Sequence, residues 1–234
     1  MTHVPKISTK IPAETLFETV KTGVVLPIAI ENWPGHGQKS VGGENFPQTE
    51  LCLAHDGDNL FLHFSVRDDD VQALYGIDQE PVWFDSCVEL FLSPMTPNNT
   101  GTLLPGEPQG YYNFEFNAVG TVLAFFGKGR DGRVPQKPEI LASIKRHSSL
   151  GRMPFKLREG RIDWELDIKI PKTAFAFHSL PTLDGQVFLA NAYKCGDHLP
   201  HPHYLSWKKI PTPKPDFHRP EFFDRLRMET GIHD

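Results

Sequence analysis

Apolar and polar residues alternate along much of this chain. Across residues 161–171, RIDWELDIKIP, the even positions Ile162, Trp164, Leu166, Ile168 and Ile170 are apolar, while Asp163, Glu165, Asp167 and Lys169 are charged. Successive side chains of a strand point to opposite faces, so this segment reads as a strand with one face buried and one wet. Residues 60–67 repeat the pattern, with Leu60, Leu62, Phe64 and Val66 opposite Phe61, His63, Ser65 and Arg67. So does PVWFDSCVELFL (81–92), where Val88, Leu90 and Leu92 face away from Cys87, Glu89 and Phe91. In YYNFEFN (111–117), Tyr112, Phe114 and Phe116 share one face and Asn113, Glu115 and Asn117 the other.

Turn chemistry joins these runs. His55-Asp56-Gly57-Asp58-Asn59 between 51–54 and 60–66 predicts a hairpin, and Ala118-Val119-Gly120 turns 111–117 back into 121–126. Residues 24–30 are β-rich but contain Pro27, which places them at a sheet edge. Further strands are expected at 140–145, 186–193, 204–209 and 222–228, with one helical turn near 171–177. Residues 147–160 read as irregular. Pro34-Gly35-His36-Gly37 and the Pro-, Asn-, Thr- and Gly-rich stretch 94–109 read as loops. Residues 1–23 read as a surface lead-in to one domain over 24–234. The sum, about ten short strands with little helix, predicts an all-β, two-sheet antiparallel β-sandwich.

Composition narrows the function. With 21 Pro and 19 Gly in 234 residues, long helices are disfavoured. The net charge of −5 comes from interspersed signs without a basic stripe, which argues against nucleic acid as a partner. No apolar run approaches the ~18–20 residues of a membrane span. The N-terminus shows no basic-then-apolar leader, so a cytoplasmic location is expected unless a leader has been removed. Cys52, Cys87 and Cys195 are odd in number and lack CxxC spacing, which reads as buried thiols in a reducing compartment.

Candidate chemistry gathers on the polar strand faces. If 86–93 and 111–117 share a sheet, Glu89, Asn113, Glu115 and Asn117 converge, and a flat ring at Trp83 sits nearby. An aromatic platform with carboxylates suits a sugar, whose C–H faces stack and whose hydroxyls donate. A Glu89–Glu115 pair also admits a glycoside hydrolase. Asp68-Asp69-Asp70 could gather calcium oxygens, and His198, His201 and His203 could ligate a transition metal. No GxSxG elbow or phosphate-binding glycine loop is present.

Taken in order, HDGDNLFLHFSVRDDDV, WFDSCVELFL, YYNFEFNAVG, WELDIKIP, FLANAYKCGD and LSWKKI resemble the family 9 carbohydrate-binding modules and their DOMON-like, jelly-roll relatives. The resemblance spans roughly residues 24–228. It implies non-catalytic binding of an oligo- or polysaccharide between two aromatic rings, favouring a binding module over an enzyme. Trp83 matches one platform, Phe217 stands near the second, and Glu89 matches a hydroxyl acceptor. A binding Arg of that family falls where Glu115 stands, and a binding Gln falls near Tyr193. Glu115, Asn117 and Tyr193 are therefore further candidates for orienting the sugar. The resemblance also brings structural calcium and, from the DOMON-type relatives, haem or metal binding. A monomer is expected.

Overall fold

Strands form where the alternation is longest. The computed structural model describes residues 1–33, 47–95 and 110–232. Its first strands are β1 (Thr2–Lys6), β2 (Val24–Pro27), β3 (Ile30–Glu31), β4 (Gln48–His55) and β5 (Asn59–Ala73), with helix α1 (Leu16–Lys21) between β1 and β2. The middle of the chain supplies β6 (Cys87–Pro94), β7 (Tyr111–Asn117), β8 (Val122–Gly127), β9 (Val134–Pro135), helix α2 (Pro138–Ser143) and β10 (Lys145–Ser148). The remainder is β11 (Phe155–Pro171), β12 (Val187–Cys195), β13 (Tyr204–Ser206) and β14 (Asp224–Ile232).

The strands hydrogen-bond in the order β10-β11-β5-β4-β1-β14-β12-β6-β7-β8-β9, with β2 on β4 and β13 on β12. This path curls over itself into a sandwich. Leu62, Phe64, Trp164, Leu166 and Ile168 of one half share a buried cluster with Val88, Leu90, Phe114, Phe116 and Ala192 of the other. The hairpin expected at 55–59 joins β4 and β5. There Asp56 Oδ1 accepts the N–H groups of Asp58 and Asn59 at 2.9 and 2.6 Å, and Gly57 takes a φ of +95°.

Several expectations change. Residues 2–6, read as part of a surface lead-in, form β1, which lies parallel to both β14 and β4 and closes the seam between the halves. Val4, Ile7 and Val20 are buried. β1 is too short to show an alternation, so its sequence does not announce it. The sheet is accordingly mixed, although every other strand pairing among the described residues is antiparallel. Most of the strand expected at 140–145 is helix α2, because Pro138 occupies its first turn and Leu141 buries one side. β11 begins at Phe155, inside the stretch read as irregular, and pairs with β5 along its length. The loops read at 34–37 and 96–109 lie outside the described residues.

The alternation of β6 and β7 reads as half-buried, yet every residue of both strands is buried. A second apolar cluster explains this, since Trp33, Val82, Ile210 and Phe217 pack over that face with Phe91, Tyr111 and Tyr193. No helix among the described residues is long and apolar enough to cross a membrane.

One buried network ties β5 to β12. Lys194 is wholly enclosed and its ammonium meets Asp68 Oδ2 at 2.9 Å, His203 Nε2 at 2.7 Å and the Cys195 carbonyl at 3.0 Å. His203 Nδ1 donates to the His201 carbonyl at 3.0 Å, which leaves Nε2 to accept from Lys194. Burial, reinforced by the Lys194 charge and opposed by Asp68, lowers the His203 pKa to about 4. Unfolding restores an ordinary imidazole near 6.5, so the unfolded chain binds the extra proton between these values. Stability is therefore full above pH 6.5 and falls as pH drops toward 4, by on the order of 3 kcal/mol from this group. The urea midpoint of the unaltered chain minus that of His203→Gln should fall as pH drops across that window. That difference cancels the buried Glu89 and Glu115, whose raised pKa values act in the opposite sense. Lys194→Ala strands the Asp68 carboxylate in the interior and should cost about 3–5 kcal/mol by denaturant unfolding.

Candidate functional site

Strand register builds the site. On the covered face of the second half-sheet, Tyr193, Glu89, Glu115 and Leu123 form one row across β12, β6, β7 and β8. Glu89 and Glu115 are direct cross-strand partners, as their shared alternation requires. They lie at the floor of a cleft of about 300 Å³. Trp83, Tyr204 and Phe217 contribute its aromatic surface, and Arg130, Arg133, Asp197 and Asp216 supply charge.

Trp83 is carried by a 3-10 turn, Val82–Phe84, whose position is fixed by the residue that follows. The buried Asp85 carboxylate accepts the backbone N–H groups of Leu74 and Tyr75 at 2.9 and 3.1 Å and the Asn117 amide at 3.0 Å. Ser86 Oγ accepts the Gln72 N–H at 3.1 Å. The DS pair of the sequence motif therefore clamps the end of β5 against β6. From the other side, the Trp83 and Phe84 carbonyls accept the N–H groups of Asp197 and His198, both at 3.2 Å. The ring of Trp83 stays partly exposed.

Electrostatics follow from burial. Glu89 is 3% exposed and Glu115 4%. Desolvation, then the Glu115 charge, pushes Glu89 well above the usual carboxylate range. Desolvation lifts Glu115 to about 7, opposed by a 2.8 Å hydrogen bond from Asn113 and by the Arg133 charge. Burial raises Asp197 to about 6. Two carboxylates this close in a low-dielectric face resist double ionisation. Arg133 Nη1 lies 4.0 Å from Glu115 Oε1 and has no hydrogen-bond partner among the described residues. Its Nε donates to the Arg130 carbonyl at 2.9 Å, and its guanidinium lies 5.2 Å from the Phe125 ring centre. Arg130 pairs with Asp216 at 2.9 Å.

Of the residues singled out from sequence, the structure brings Trp83, Glu89, Glu115 and Phe217 to one cleft. Phe217 is only 9% exposed, because its ring stacks on Tyr193 at 4.2 Å and 10°. Tyr193 is enclosed beneath it, and its hydroxyl donates to the Phe217 carbonyl at 3.2 Å. Asn117 is spent on structure: its amide serves Asp85 and the Tyr75 carbonyl, and its oxygen accepts from Val119 and Thr121.

The acidic and histidine groups disperse. Asp68 pairs with Lys194, Asp69 lies 3.5 Å from Arg161, and Asp70 lies 4.0 Å from His201. His198 stacks on Phe84 at 3.7 Å, and His203 belongs to the Lys194 network. Among the described residues, neither set is a place where three His, Cys or carboxylate ligand atoms converge.

Sequence reasoning missed Arg130, Arg133, Asp197 and Tyr204. The charged, glycine-rich stretch GKGRDGR held the signal for the arginines, but nothing local says that it reaches Glu115. The family resemblance expects an Arg where Glu115 stands, and here a guanidinium approaches that carboxylate from the neighbouring loop.

Comparison with solved structures agrees with this architecture. A candidate carbohydrate-binding protein from Bacteroides uniformis is 35% identical, with a TM-score of 0.84 over 97% of this chain and 98% of that one. A family 9 carbohydrate-binding module from Caldicellulosiruptor kristjanssonii, crystallised with glucose, is 10% identical with a TM-score of 0.53 over 99% and 97% of the two chains, a likeness of fold. A search of curated proteins finds no match. The profile of carbohydrate-binding family 9 matches residues 27–228, and the chain belongs to that family.

Proposed function

We propose that the chain binds the end of an oligo- or polysaccharide without cleaving it, in the cleft over Glu89 and Glu115. The observation that carries this reading is unspent polar capacity beside an aromatic face. Two adjoining carboxylates and an Arg133 nitrogen with no hydrogen-bond partner among the described residues share the cleft with the partly exposed Trp83 ring. A pyranose offers apolar C–H faces to a ring and hydroxyls that both donate and accept. Trp83 is the stacking platform. Glu89 and Glu115 accept from hydroxyls and Arg133 donates to one. Tyr204 and the edge of Phe217 form the opposite wall, with Tyr193 backing Phe217 from below. A volume of about 300 Å³ lies at the low end of small-ligand sites and suits a terminal sugar better than an internal segment. Family membership and the glucose complex of the Caldicellulosiruptor module support the ligand class.

The carboxylate pair also gives the hydrolase reading its one support, since glycosidases use two carboxyl groups and these two are cross-strand partners. Incubation with aryl glycosides and cello-oligosaccharides distinguishes the two. The binding reading expects intact sugar, and release that Glu115→Gln abolishes would establish catalysis.

A glycan array identifies the saccharide, and calorimetry then measures the variants. Trp83→Ala should weaken binding at least about tenfold, or 1.4 kcal/mol, with little change in melting temperature. A variant that fails to fold would assign Trp83 to the core instead. Arg133→Ala should weaken binding by about tenfold as well, because a charged donor is lost. Unchanged affinity in that variant removes Arg133 from the site.

A further inference from the structure

Three ligand-bearing side chains meet at the floor of the cleft. Cys87 and Glu89 lie two residues apart on one face of β6, and Cys195 is the cross-strand partner of Cys87 on β12. One ligand atom of each lies within 4.8 Å of the other two, and Cys195 Sγ is 3.1 Å from Glu89 Oε1. None of the three residues is more than 3% exposed. Glu89 and Cys195 also line the cleft, which gives the cluster a path to solvent.

We propose that Cys87, Glu89 and Cys195 hold a thiophilic divalent cation of the zinc class, with a remaining coordination position open to the cleft. Two soft thiolate sulfurs beside one hard carboxylate oxygen suit zinc, a borderline cation, and the sulfurs disfavour calcium or magnesium. Zinc takes sulfur at about 2.3 Å and carboxylate oxygen at about 2.0–2.2 Å in a tetrahedron. Those bonds separate ligand atoms by roughly 3.3–3.8 Å, so modest side-chain rotation closes the observed triangle around one ion. Asp197, two residues beyond Cys195, lines the same cleft. Without a cation, two thiols and a carboxyl group occupy a site that favours their neutral forms. Cation entry displaces the two S–H protons and the Glu89 carboxyl proton to solvent and involves no redox change. The inference does not depend on saccharide binding, because its readout is the bound ion.

The test is a Co2+ titration of the full chain after phosphine reduction and chelator treatment, followed by Zn2+ competition. One Co2+ per chain should bind with a near-ultraviolet thiolate charge-transfer band that Zn2+ abolishes. Cys87→Ser/Cys195→Ser should lose the band and weaken Zn2+ binding by more than about 100-fold. Cys52→Ser, on β4 outside the cluster, should keep both. Zinc-edge X-ray absorption on the unaltered chain counts two sulfur neighbours if the site is as described, even if the serine variants do not fold. Absence of the band, its persistence in the double variant, no sulfur at the zinc, or a Cys87–Cys195 disulfide that forms in place of metal binding would overturn the proposal.

Discussion

Two carboxylates placed side by side under a covered sheet face are the constraint around which this end of the molecule is arranged. Glu89 and Glu115 alternate with core residues on adjacent strands, so the register that buries Val88, Leu90, Phe114 and Phe116 between the halves also forces the two acids together. A one-residue slip would relieve the acids and expose the core, which is far costlier. The fold therefore accepts the pair and adjusts its surroundings. Asn113 donates to Glu115, Arg133 approaches it, and Cys195 sits against Glu89. Their raised pKa values are the electrostatic record of that arrangement.

What covers this face determines what it can do. A fully packed cover would make the acids a structural burden, whereas an open face would make them ordinary solvated residues. The loops bearing Trp83, Arg133, Tyr204 and Phe217 do neither, and leave a small cleft above the pair. That cleft is held by polar contacts rather than by strand pairing. Asp85 and Ser86 anchor the Trp83 turn to β5, and the backbone of Asp197 and His198 ties it to the β12–β13 connection. On the far side, Tyr193 props Phe217. β1, closing the seam between the two halves, fixes β14 against which β12 is aligned.

Where one face of a strand is apolar and the other polar, the sequence could be read directly. β5, β6, β7 and β11 emerge from period two alone, and the identity of the Glu89 and Glu115 faces emerges with them. Alternation could not say that the polar face of β6 and β7 is covered, because much of the cover comes from Trp33, Ile210 and Phe217, which are remote in sequence. Nor could it reveal β1, whose role depends on β4 and on β14 at the far end of the chain. The family resemblance placed Trp83 and Phe217 near each other. It could not show that Phe217 is spent on Tyr193 or that Asn117 serves Asp85. Cys87 and Cys195 looked like isolated thiols until register made them neighbours.

The most direct measurement of the central claim is a crystal structure with a bound short oligosaccharide chosen by array screening. The account predicts an uncleaved terminal sugar with its ring against Trp83 and its hydroxyls bonded to Glu89, Glu115 or Arg133. A sugar seated elsewhere on the surface, or a cleaved product in the cleft, would contradict it.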